Sequence, residues 1–137
     1  MAAPTAFLCT PIEKGCCEMA DIIFYVGLAM LLTHELDAMT HQEWRLLFVL
    51  RKLPEPLAKT CFLLLHIPLF GLLLWAMGHD STNVVQGTKG AIALFLIIHA
   101  VLHYRLRHHP KYTFHSSLSA GLIYGGGVLG LLYIFTI

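Results

Sequence analysis

The chain has 137 residues, of which 57% are hydrophobic and only 12% charged, with a formal net charge of +1. Soluble domains carry about 25% charged residues, so this composition excludes an ordinary soluble fold and places the protein in a lipid bilayer. The near-zero net charge, with no basic stripe interleaved with aromatics, excludes nucleic acid as a partner. Histidine is the unusual residue: there are 9, as many as Lys and Arg together.

Residues 1–20 lack the basic start and continuous apolar core of a signal peptide and read as an N-terminal tail. Cys9, Cys16, Cys17 and Cys61 form no CxxC pair and read as small apolar residues, not as a disulfide framework. Residues 21–137 read as one membrane domain. Crossing the hydrocarbon takes about 20 residues of helix, and the windows 21–40, 57–77, 88–107 and 116–136 qualify. The breaks between them, LRKLPEP, GHDSTNVVQGTKG and RLRHHPKYTFHSS, carry proline, glycine and charge. The predicted fold class is all-α, an integral membrane four-helix bundle.

Cationic residues set the expected orientation. Arg45, Arg51, Lys52 and Lys59 follow span one, and Arg105, Arg107 and Lys111 follow span three, against Lys14 and Lys89 on the other side. Both termini are therefore expected on the non-cytoplasmic side. Pro68 removes a backbone donor from span two and is expected to kink it. In span four, Ser117, Gly121 and Gly125, and again Gly126 and Gly130, recur at a spacing that puts each set on one face. Such faces allow close helix approach, within the bundle or in a homo-oligomer.

The end of span one, LTHELDAMTHQEWRLL, places His34, Glu35, Asp37, His41 and Glu43 close together. Span two adds His66, and span three adds His99 and His103. At about 1.5 Å of rise per residue, His34 lies about 9 Å, His66 about 13 Å, and His99 and His103 about 12 and 6 Å from the inner ends of their helices. Three helices thus bring imidazoles into one half of the bilayer. His34, Asp37 and His41 share a helix face, and His99 and His103 are one turn apart, the spacing at which one helix gives two imidazoles to one ion. Ionisable groups at such depth face the bundle interior and pair there. The expected metal ligands are His34, His41, His66, His99 and His103, with Glu35 or Asp37 as the proton-transfer group. Imidazole with carboxylate suits a transition metal, iron or zinc first. Glu43 and Arg45 read as solvated or surface-paired, Trp44 as an interfacial anchor, and His108, His109 and His115 as loop residues. His66 also fits a core histidine bonded to the carbonyl that Pro68 frees.

Several known motifs fail. HELDA is not the zinc-protease HExxH, because position 38 is Ala. HYRLRHHP is similar to a single histidine box of membrane desaturases and hydroxylases, and their other boxes have no counterpart. Taken together, LTHELDAMTHQEWRLL, LLLHIPLF and LFLIIHAVLHYRLRHHPKYTFHSSLS resemble an uncharacterised family of small bacterial integral membrane proteins. Its members look like THE-D---HEWR at the end of the first helix, HIPL in the second, and IHA--H with a following HP and F-S--S. The chain more weakly resembles the HXXEE-motif membrane proteins, departing from them because His34 is followed by Glu35 and Asp37. Neither resemblance implies an activity; the first implies a protein of the bacterial inner membrane.

Three functions fit. A metal-dependent enzyme would take a lipid or other apolar substrate from the bilayer. A haem protein would need two imidazoles, His66 opposite His99 or His34, with room for a flat macrocycle. A proton or metal-ion transporter would need polar groups leading to the other face, and the outer halves of the spans read as apolar. A non-catalytic accessory subunit stitched together by its histidines gives the same residue pattern.

Overall fold

The computed structural model describes residues 11–136. Among them there are four helices, two short 3-10 turns and no strand: α1 (Pro11–His41), turns Glu43–Arg45 and Leu50–Lys52, α2 (Glu55–Met77), α3 (Thr82–Leu106) and α4 (Ser117–Thr136). All four helices contain a stretch long and apolar enough to cross a membrane, within α1 the residues Glu18–His41. Helix α1 starts earlier than the apolar window, so residues 11–20, expected as tail, are helical. Residues 1–10, with Cys9, lie outside the described residues. Helix α3 starts at Thr82, and this takes Lys89, expected in a loop, inside the helix.

Local signals explain the boundaries. Gln42 adopts a left-handed conformation (φ 57°), which ends α1 and turns the chain into the Glu43–Arg45 turn. Pro54 precedes α2, and Pro56 occupies its first turn, where a missing N–H costs nothing. Pro68 sits inside α2, which continues through it to Met77. The Ser119 amide donates to Ser116 Oγ at 2.9 Å, a hydroxyl cap at the start of α4.

Helix α4 is the spine of the bundle, packing against both α1 and α3, whereas α2 is attached more sparsely. Its glycines make that approach possible. A Cβ on Gly127 would lie 2.6 Å from the Ala100 Cβ, one on Gly130 would lie 2.5 Å from the Ala93 carbonyl oxygen, and one on Gly125 would lie 2.6 Å from the Met30 Cε. These contacts are tight packing within the bundle.

Polarity is inverted relative to a soluble protein. Leu36, Leu74 and Phe135 are 73%, 72% and 80% exposed, while His34, Glu43, Lys89, His103 and Ser119 are buried. An exterior this apolar is satisfied by lipid. Near the terminal end, Lys89 donates to Asp21 Oδ1 at 2.6 Å and clamps α3 to α1.

The packing predicts that Gly130→Ala destabilises the protein by about 1–3 kcal/mol, the usual cost of overpacking. Gly121→Ala, where a Cβ meets nothing within 4 Å, should be neutral. Thermal unfolding of both variants in detergent checks this.

Candidate metal centre

The site begins with the break at Gln42. A continued α1 would carry Glu43 onward into the headgroup region; the left-handed residue instead folds it back beneath His34, where it is 8% exposed. From α3, His99 and His103 project one turn apart toward the same place. His34, Glu43, His99 and His103 each present one ligand atom, and these atoms lie within 4.8 Å of one another. Glu43 Oε2 is 3.4 Å from His34 Nε2, and Glu43 Oε1 is 3.3 Å from His103 Nε2. The rings pack directly together, with centroids 4.9 Å apart for His34–His99, 5.2 Å for His34–His103 and 4.5 Å for His99–His103.

The cluster is under-bonded. Neither ring nitrogen of His34 finds a hydrogen-bond partner among the described residues, nor does Nε2 of His99; the 3.4 Å approach of His34 to Glu43 lacks hydrogen-bond alignment. Leaving a buried polar atom unsatisfied costs about 1–3 kcal/mol, so these three nitrogens mark a cluster that the described protein groups satisfy only in part.

The segment between α3 and α4 closes the site from the loop end. Phe114 packs on the rings of His34, His41 and His103 at 5.4, 4.8 and 4.9 Å. The Tyr112 hydroxyl lies 3.3 Å from His103 Nδ1, and Thr113 donates to the His41 carbonyl at 2.9 Å, holding the segment to the end of α1. Burial, aided by Tyr124, pushes the Tyr112 phenol above its ordinary pKa, so it stays a neutral hydrogen-bonding group. Burial is also the largest influence on Glu43 and pushes its carboxyl up. The imidazoles of His103, His34 and His99 together outweigh it and hold Glu43 well below the usual carboxylate range. Glu43 is therefore an anion at the centre of the cluster.

The other sequence candidates fall into two neighbouring pairs. His41 Nε2 lies 3.4 Å from Asp37 Oδ1 and 3.4 Å from Ser119 Oγ, and Asp37 Oδ2 is buried with no partner among the described residues. His66 Nε2 lies 2.8 Å from Glu35 Oε2, while His66 Nδ1 donates to the Phe62 carbonyl at 2.7 Å. That carbonyl is not the one Pro68 leaves free, which belongs to Leu64. His34, His99 and His103 come together; His41, His66, Glu35 and Asp37 do not join them in the four-residue group.

Sequence reasoning missed Glu43, Tyr112 and Phe114, and three expectations need correction. Glu43 is buried. Trp44 is not an exposed anchor: it is 2% exposed, packs on Phe62 and donates to Glu55 at 2.9 Å. Lys89 is a buried partner of Asp21. The available signals were two aromatics, Tyr112 and Phe114, in an otherwise basic loop, and an acid two residues after the last histidine of α1.

Fold and site together define a class: a membrane-type four-helix bundle with a buried histidine–carboxylate cluster. The chain belongs to DUF6713, a family of unknown function, which it matches over residues 20–137, including every residue of the cluster. No curated protein and no solved structure matches the chain.

The geometry of the turn is directly testable. Left-handed backbone costs a non-glycine residue about 1–2 kcal/mol, so Gln42→Gly should leave thermal stability unchanged or raise it. Gln42→Val, β-branched where φ is positive, should lower it and displace Glu43 from the cluster.

Proposed function

We propose that this protein holds a transition metal, iron or zinc, within its membrane bundle, with His34, His99, His103 and Glu43 as ligands, and acts on an apolar molecule drawn from the bilayer. The observation that carries the reading is the set of unpartnered imidazole nitrogens of His34 and His99 beside the ionised Glu43. Three imidazoles and one carboxylate suit zinc, iron or manganese. A proton on His103 Nδ1, donated to Tyr112, would turn Nε2 from its 3.3 Å hydrogen bond with Glu43 to a lone pair for an ion, the usual way an outer partner fixes a ligand tautomer. A bound ion would polarise a substrate oxygen or acidify water. Glu35, outside the cluster but next to His34 in sequence, is the proposed proton carrier, and Asp37 with His41 supports the inner end.

The alternatives are weaker on specific grounds. A haem between these histidines needs a slot that rings packed directly together at 4.5–5.2 Å do not leave, and His66 is engaged with Glu35 and Phe62. A transport path would have to link the cluster with the Asp21–Lys89 pair, and buried Ala93 and Leu96 lie on α3 between them. We also propose that both termini face away from the cytoplasm of a bacterial inner membrane. Arg45, Arg51, Lys52, Arg107 and Lys111 border the loop end, and pairing of Lys89 with Asp21 removes one counterweight.

Metal content by mass spectrometry on detergent-purified protein tests the main reading. Near-stoichiometric metal in the wild type and in His66→Ala, lost in His99→Ala/His103→Ala, is the expected result. A metal-free wild type beside a folded double variant sinks it. Orientation predicts that alkaline phosphatase fused to the C-terminus is active and that a fluorescent protein there stays dark.

A further inference from the structure

Because α2 is sparsely attached, a cleft of about 530 Å³ remains between α1, α2 and α3. This lies within the range of about 300–1,000 Å³ typical of small-molecule sites. Its walls include Leu32, Phe70, Trp75 and Phe95, and its polar side chains are Glu35 and Thr88. The Thr88 hydroxyl already donates to the Val84 carbonyl at 2.8 Å, which leaves Glu35 as the strongest hydrogen-bond acceptor open to a ligand. A smaller cavity of about 230 Å³, with Leu63 and His66 in its walls, adjoins the first through the shared residues Leu32, Glu35 and Phe70.

We propose that this cleft binds a single hydrocarbon chain ending in an uncharged hydroxyl group, with that group held by Glu35 where the two cavities meet. The cleft lies within the membrane-spanning stretches, so its occupant enters from lipid, and its apolar walls match an alkyl chain. The charge of the terminal group follows from the Glu35–His66 pair. His66 Nδ1–H is committed to Phe62, so the proton shared across the 2.8 Å contact sits either on His66 Nε2 or on Glu35. Either placement leaves the pair with no net charge. An ionised headgroup would therefore meet no countercharge there and would keep its full desolvation cost, whereas a neutral hydroxyl donates to Glu35 Oε1, which takes no part in the pair and accepts in either placement.

The terminal group would sit beside the candidate metal centre. Glu35 adjoins His34 in sequence, and Phe95 in the cleft wall stacks on His99 at 5.4 Å. Binding does not depend on a metal; its role as a substrate pocket rests on the metal reading.

The test uses protein in phosphatidylcholine nanodiscs with two photoreactive probes, a long-chain alcohol and the matching alkane. The alcohol should label cleft peptides of the wild type. Ala91→Trp, which fills the cleft from an exposed wall position, should reduce labelling by about fivefold or more, as should Glu35→Leu through loss of a hydrogen bond. Alkane labelling should be indifferent to Glu35→Leu. Alcohol labelling unchanged in Ala91→Trp, or equal for both probes and indifferent to Glu35, overturns the proposal and marks ordinary acyl-chain filling. Metal measured on the same samples separates the two readings. A metal-loaded protein that fails to label sinks the cleft alone, and a metal-free protein that labels through Glu35 sinks the metal alone.

Discussion

Placing an ionised carboxylate where water is scarce is the constraint on which the rest of this structure depends. An isolated buried charge is prohibitively costly unless paired or bound to an ion. Glu43 meets that cost with three imidazoles, one delivered by α1 and two by α3. The left-handed residue at Gln42 turns Glu43 inward, α3 supplies His99 and His103 on one face, and Tyr112 with Phe114 shields the group from the headgroup region. None of these features is stabilising by itself. The strained residue, the unpartnered nitrogens and the inserted aromatic loop make sense together, as parts of one low-dielectric site.

The bundle divides this work unevenly. Helix α4 places Gly127 and Gly130 where it comes nearest to α3, which brings the backbones together and fixes α3 against the spine, while Gly125 admits Met30 of α1. That arrangement holds His34 in register with His99 and His103 without α2. Helix α2 is fastened instead by polar contacts, Glu55 to Trp44 and Arg45 at its loop end and His66 to Glu35 at mid-helix. The rigid side of the bundle carries the candidate ion site and the sparsely packed side carries the cleft. A catalytic site that takes apolar molecules from a bilayer needs both, since ligands must be held to within fractions of an ångström while the substrate must be able to enter.

Much of the fold was legible because apolar windows of bilayer length have few other interpretations. The depth argument also brought His34, His99 and His103 to one level, since rise per residue is fixed once a helix is assigned. What it could not supply was azimuth between helices. His66 sits at the right depth but faces Glu35 and Phe70, and no pattern within α2 alone says which neighbour its face meets. Glu43 was illegible for a different reason: its burial depends on the φ of one glutamine, and glutamine has no strong preference for a left-handed turn. Lys89 was misplaced because its flanking glycines, Gly87 and Gly90, read as loop, whereas tertiary pairing with Asp21 keeps that stretch helical.

Successive residues on a helix point about 100° apart, and this explains why α1 serves both sites. His34 faces the bundle core and Glu35 faces the α2 cleft, so two ionisable groups adjacent in sequence lie on adjoining faces of one helix. On α3, Phe95 and His99 are one turn apart and stack, so the wall of the cleft is also the flank of the cluster. The anion Glu43 and the net-neutral Glu35–His66 pair differ in what they can attract. The first draws a cation and the second a neutral oxygen. On the two proposals, an ion and a hydroxyl-ended chain would be directed to neighbouring sites by charge, with neither able to occupy the other's position at comparable cost.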